Sequence, residues 1–212
     1  MKNRLTLIIA CLLLFQMNGF AQLENAPEPK SNEGWLSLGG RSTLSAFDHD
    51  GNGLGTGGQF RVQLSNRVNT DWFADYITIN IDDKVRSEYF HIGWSVLFYP
   101  FEQMRFPKLI QPYIVAGHCF DYNKKTVIFD PTNSVDRWGS AVQAGLGMHF
   151  NLSERFDISL TSQYMIHFTQ ELEVTTHDDG DIHIHDHEEA SLEGHLLSTI
   201  SLNYKLFKLW KR

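Results

Sequence analysis

The chain has 212 residues, with 18 Lys and Arg against 25 Asp and Glu and a formal net charge of −7. Such an acidic chain lacks the basic footprint of a nucleic-acid-binding protein, and two cysteines are too few for a disulfide-stapled secreted domain. Past the N-terminal segment no apolar run reaches the roughly 20 residues that a membrane helix needs, which says nothing against a barrel.

MKNRLTLIIACLLLFQMNGFAQ has the layout of a secretory signal peptide. Lys2 and Arg4 give a positive start, Leu5 to Phe15 an apolar centre, and Gly19 and Ala21 the small residues at −3 and −1. Cleavage is expected after Ala21, making 1–21 the leader and 22–34 a periplasmic lead-in. A lipobox ending at Cys11 is the weaker reading, because more apolar residues follow Cys11 than precede it. Export removes Cys11 and leaves Cys119 alone, so no intramolecular disulfide is expected.

From Trp35 onward the period is two, the spacing of half-buried strands. In GWLSLGGRSTLSAF, Leu36, Leu38, Leu44 and Ala46 alternate with Ser37, Arg41, Thr43 and Ser45. In GQFRVQLSNR, Phe60, Val62 and Leu64 oppose Gln59, Arg61, Gln63 and Ser65. DWFADYITINI alternates at Ile77, Ile79 and Ile81, with Asp75 falling on that apolar side. SEYFHIGWSVLFY sets Phe90, Ile92, Trp94, Val96 and Phe98 against Tyr89, His91, Gly93 and Ser95. QPYIVAGHCFDY resolves poorly. GSAVQAGLGMHF, RFDISLTSQYMIHFT and HLLSTISLNYKLF alternate cleanly, with Gln143, His149, Asp157, Gln163, His167, Ser201 and Asn203 on their polar faces. The reading is eight strands of about 10 to 14 residues.

The apolar faces are long and rich in Leu, Ile, Phe, Trp and Tyr, while the opposite faces are small or polar. That is the pattern of a barrel with lipid outside and a polar lumen. With both termini in the periplasm, the first, fifth and seventh connections are expected to be long extracellular loops. Tyr76, Trp94, Tyr99, Trp138, Phe168 and Tyr204 are candidates for interfacial girdles. The expected fold is an all-β, eight-stranded antiparallel up-and-down transmembrane β-barrel over 35–207, with a short tail at 208–212. Its surroundings would be outer-membrane lipid and the barrel assembly machinery, and a monomer is expected.

PYIVAGHCFDY followed by WGSAVQAGLGMHFNLSERFDISLTSQYMIHF resembles the strand pattern of small bacterial outer-membrane barrels of the OmpA-type or porin family. The resemblance runs from about Trp35 to Phe207 and implies an outer-membrane location in a Gram-negative cell. It carries the barrel without a periplasmic domain.

An eight-stranded barrel has an interior just wide enough for side chains to fill. Arg41, Arg61, Gln143, His149, Gln163 and His167 are therefore expected to form a polar plug, and no open channel is expected. Within THDDGDIHIHDHEEA, Thr176 to Ala190, lie four histidines and six carboxylates. In extended chain His183, His185 and His187, at i, i+2 and i+4, share one side. Together with His177, Asp179 and Asp181 they are the candidate ligands for a divalent transition metal such as zinc, copper or nickel. No cofactor is required by this reading. A second candidate is FDHDGNGLGTGGQ, where Asp48, Asp50 and Asn52 begin a calcium-loop pattern that has Gln59 at its twelfth position instead of Glu. The expected function is a non-enzymatic barrel with a metal-binding surface loop. The alternative is a lipid A-modifying, deacylase-like barrel using His167 and Thr169 with Glu171 or Glu193. That reading requires His167 to face the lipid.

Overall fold

The computed structural model describes residues 33–47, 51–101, 109–176 and 182–210, with side chains described for all of these except Phe47 and 169–193. Eight strands follow in chain order: β1 (Trp35–Phe47), β2 (Gly51–Gln63), β3 (Val68–Ile81), β4 (Val85–Phe98), β5 (Ile110–Val127), β6 (Ser134–Asn151), β7 (Phe156–Thr176) and β8 (Ile182–Lys208). Each pairs antiparallel with its neighbour, and β1 pairs with β8 to close the barrel. Closure leaves no free sheet edge, which an open sheet in hydrocarbon could not tolerate.

Alternation puts one face of every strand to the outside. Leu38, Leu44, Phe60, Trp72, Ile92, Trp94, Ile114, Phe120, Leu146, Leu160, Ile200 and Leu202 are all exposed there. Phe60 stacks on Trp72, with ring centroids 5.9 Å apart, and Trp72 sits opposite Trp94 in the β3–β4 register. This is an aromatic ladder on the outer wall. The inner face carries Ser37, Arg41, Thr43, Gln59, Arg61, Asp71, Asp75, His91, Gln143, His149, Asp157, Gln163, His167, His195 and Asn203, all buried.

One strand phase differs from the sequence expectation, and the structure supplies another that the sequence left unresolved. On β3, Ile77 and Ile79 point into the lumen with Asp75, and Trp72 and Tyr76 point out. Asp75 was therefore the informative residue: a carboxylate cannot face lipid, and its phase places the isoleucines inside. On β5, Gln111, Tyr113, Val115, Cys119 and Asp121 are inside, with Ile114 and Phe120 outside. A narrow lumen must be filled, so apolar residues occur on its inner face too. Phe73, Ile77, Ile79, Tyr89, Cys119, Ala141, Met165 and Leu197 form an apolar cluster there. Tyr99, expected in a girdle, is instead buried in the lumen, where it continues the inward phase of Leu97.

The connections also differ. Those at 48–50, 82–84, 128–133 and 177–181 are short, and 99–109 is the longest. What lengthens one end is the strands, which reach 21 residues in β7 and 27 in β8. Residues 51–57, expected as a glycine-rich loop, are strand paired with β1. The glycines serve packing there: a Cβ on Gly53 would lie 2.6 Å from Ile79 Cγ1 and 2.9 Å from Ile77 Cγ2. At the β3–β4 hairpin, Asp82 and Asp83 both have positive φ (49° and 55°). Lys84 N–H closes this turn by donating to the Ile81 carbonyl at 3.0 Å. Two left-handed central residues define the type I′ turn, whose twist matches that of the flanking strands.

Candidate functional site in the lumen and the β7–β8 ribbon

The lumen holds three polar groups. In the first, nearer the termini, Arg61 Nε lies 2.6 Å from Asp71 Oδ1 and its Nη2 3.1 Å from Asp71 Oδ2, a two-point fork. Its Nη1 reaches Asp157 Oδ1 at 3.2 Å. Asn203 Nδ2 donates to the same Asp157 oxygen at 2.9 Å, and Gln59 Nε2 donates to Asn203 Oδ1 at 2.6 Å. His149 joins through Ser159 Oγ at 2.6 Å and the Tyr99 hydroxyl at 2.8 Å. In the second group Arg41 Nε lies 3.0 Å from Asp75 Oδ1, and its guanidinium sits 4.5 Å from the Phe73 ring centroid. Gln143 Nε2 donates to Ser95 Oγ at 2.9 Å, also on the inner face.

The third group is built from imidazoles. His91 on β4 and Asp121 on β5 are register partners, and His91 Nε2 lies 3.2 Å from Asp121 Oδ1. His167 comes from β7, two strands away from β5. The intervening strand β6 offers only Gly139 opposite Asp121 and Ala141 opposite His167. Those small residues let the two side chains meet, with His167 Nδ1 2.6 Å from Asp121 Oδ2. His167 Nε2 in turn lies 3.1 Å from His195 Nδ1 on β8. A self-consistent set of neutral tautomers has His195 Nδ1–H donating to His167 Nε2 and His167 Nδ1–H donating to Asp121. Arg41, Arg61, Gln143, His149, Gln163 and His167 thus all lie inside, buried. Sequence reasoning did not single out Asp121 or His195. The signal available for Asp121 was its charge, which by itself fixes the phase of β5.

His167 is the residue on which the deacylase alternative turned. It is buried, bonded to lumen groups, and directed away from the lipid face. Thr169, Glu171 and Glu193 belong to the stretch whose side chains are not described.

The histidine-rich stretch is not a loop for most of its length. β7 pairs with β8 up to Thr176↔Ile182, placing His183 opposite Thr175 and His185 opposite Glu173. A register shift between Gln170 and Leu172 leaves His187 beside the irregularity. His177, Asp179 and Asp181 lie outside the described residues. So do Asp48 and Asp50 of the calcium pattern. Asn52 is on a ladder opposite Ala46, within strand and not in an ion-wrapping loop.

Closed, apolar outside and polar inside, the chain is an eight-stranded transmembrane β-barrel with the fold of the small bacterial outer-membrane barrels. No protein-family model matches it, and no curated protein does. Among solved structures, it is similar to a major outer membrane protein from Thermus thermophilus. The TM-score is 0.55 at 8% identity, over 81% of this chain and 99% of that one. It is also similar to Neisserial surface protein A, with a TM-score of 0.51 at 11% identity over 81% of this chain and 96% of the other. At these identities the likeness is one of fold.

Proposed function

We propose that the protein is a non-enzymatic outer-membrane barrel that presents its β7–β8 ribbon at the cell surface as a binding site for a divalent transition metal. The barrel supplies an anchor and a closed core, because the lumen is filled by the three polar groups and the apolar cluster. The inward-turned His167 supports the non-enzymatic reading.

One observation carries the surface reading. β8 pairs with β1 only from His195 onward, and β7 pairs with β6 only up to His167. Residues 168–176 and 182–194 are therefore a two-stranded ribbon beyond the barrel rim, roughly 30 Å long at the usual strand rise. The backbone of 182–187 is strand, the form for which alternate histidines share a face. Imidazole nitrogens next to carboxylates suit zinc, copper and nickel.

The test is a calorimetric titration of zinc into the detergent-refolded barrel at pH 7.5 and pH 5.5. A His183→Ala, His185→Ala, His187→Ala triple variant is titrated alongside. Binding at micromolar concentration or tighter is expected at pH 7.5. It is expected to vanish at pH 5.5, where imidazoles protonate, and in the triple variant. The same heats in the triple variant would refute the assignment.

A further inference from the structure

The geometry points to a second, separate metal site inside the barrel, in which His91, Asp121 and His167 hold one divalent transition-metal ion and His195 orients His167. Three observations converge on it, and none involves the β7–β8 ribbon.

The first is donor geometry. One ligand atom from each of His91, Asp121 and His167 can be chosen so that all lie within 4.8 Å of one another, and all three residues are buried. Two ligands of a tetrahedral zinc, each about 2.0–2.1 Å from the ion, sit about 3.3 Å apart. His91 Nε2 and Asp121 Oδ1 lie 3.2 Å apart, near that edge. They approach without forming a hydrogen bond, since neither atom has a hydrogen-bond partner among the described residues.

The second is the unmet bonding capacity of His91. Its side chain is 0% exposed; Nδ1 has no hydrogen-bond partner among the described residues, and Nε2 meets Asp121 Oδ1 at 3.2 Å outside hydrogen-bond geometry. Buried polar atoms are ordinarily satisfied, so a fully buried imidazole that makes no hydrogen bond and turns Nε2 to a carboxylate has a lone pair to give to a metal.

The third is charge. The other lumen carboxylates lie against guanidinium: Asp71 and Asp157 against Arg61, and Asp75 against Arg41. Asp121 lies instead against the imidazoles of His91 and His167. A buried carboxylate needs a compensating positive charge. A divalent ion held by the same three residues supplies it.

His195 completes the arrangement. When His167 turns the lone pair of Nδ1 to the metal, its proton moves to Nε2 and His195 shifts its own proton from Nδ1 to Nε2, so that His167 Nε2–H donates to His195 Nδ1 at the distance already present, 3.1 Å. Metal-bound histidines characteristically donate their second nitrogen in this way. The set is two imidazoles and one carboxylate, and it suits zinc, cobalt, nickel or iron(II). The packed lumen requires loading during folding.

The test uses the full barrel carrying His183→Ala, His185→Ala and His187→Ala, which silences the ribbon. It is refolded in detergent with cobalt(II), stripped of free metal by gel filtration, and measured for metal per chain and for visible cobalt absorbance. Circular dichroism and the gel mobility of unheated samples report folding. Expected are one cobalt per folded chain, at least tenfold less in His91→Gln and in Asp121→Asn, and no loss in Gln143→Ala. His195→Ala should weaken retention by about 10- to 100-fold, as for other partners of metal-bound histidines. Folded chains with cobalt at the blank level would overturn the proposal, making the cluster a hydrogen-bonded core only, whether or not any variant folds. Cobalt unchanged in a folded His91→Gln would overturn it as well. Neither result bears on zinc binding by the unmodified ribbon.

Discussion

Arg61 offers the sharpest stability test. Its guanidinium serves two buried carboxylates, at 2.6 and 3.1 Å to Asp71 and 3.2 Å to Asp157, and also reaches Ser159 Oγ at 3.3 Å. Arg61→Met keeps much of the length but removes the charge, leaving both acids without their guanidinium partner. Breaking a buried pair in this way costs about 3–5 kcal/mol. With a urea slope of about 2 kcal/mol per molar, the unfolding midpoint should fall by about 1.5–2.5 M. Adding Asp71→Asn and Asp157→Asn removes the stranded charges and should recover most of that loss, because the cost lies in the uncompensated acids. The assay is urea unfolding of the refolded barrel in detergent, followed by tryptophan fluorescence. A midpoint change below about 0.5 M in Arg61→Met, or a triple variant less stable than the single one, would refute the reasoning that this ion pair closes the lumen.

Three further outcomes follow from the geometry. Asp83→Gly should stabilise the barrel by about 0.5–1 kcal/mol, since glycine adopts the positive φ of this turn position without steric cost; unfolding midpoints check it. Gly53→Val should destabilise by about 1–3 kcal/mol, because its side chain would enter the space of Ile77 and Ile79. Adding Ile79→Ala should restore part of the loss in the same assay. Cys119 is fully buried in the apolar cluster with Phe73 and Met165, so a maleimide should label it only after urea is added; rapid labelling of the folded barrel would contradict the closed lumen.

The outer wall and much of the lumen were legible in the sequence, unevenly and for physical reasons. Strands β6, β7 and β8 alternate cleanly because most of their lumen residues are polar or small, Met165 and Leu197 excepted, and their outer ones are mostly large and apolar. β3 misleads and β5 stays unresolved because the lumen also needs bulk, and Ile77, Ile79, Val115 and Cys119 supply it. On both strands a carboxylate, Asp75 or Asp121, would have set the phase. The glycines of 51–57 look like turn residues in isolation; only the neighbouring Ile77 and Ile79 explain them as strand. The His91–Asp121–His167–His195 cluster could not be read from spacing. Its members come from four strands, and they meet through the register across Gly139 and Ala141.

A transmembrane barrel turns its apolar wall to lipid, and tryptophan quenching tests that placement. Single-tryptophan variants retaining Trp72 or Trp94 would be refolded into vesicles containing bromine-labelled lipid acyl chains. A third variant would carry Phe73→Trp, on the inner face, as the sole tryptophan. Strong quenching by the brominated chains is expected at Trp72 and Trp94, and weak quenching at position 73. Lipid quenching at position 73 with Trp72 and Trp94 shielded would reverse the two faces and contradict the transmembrane barrel.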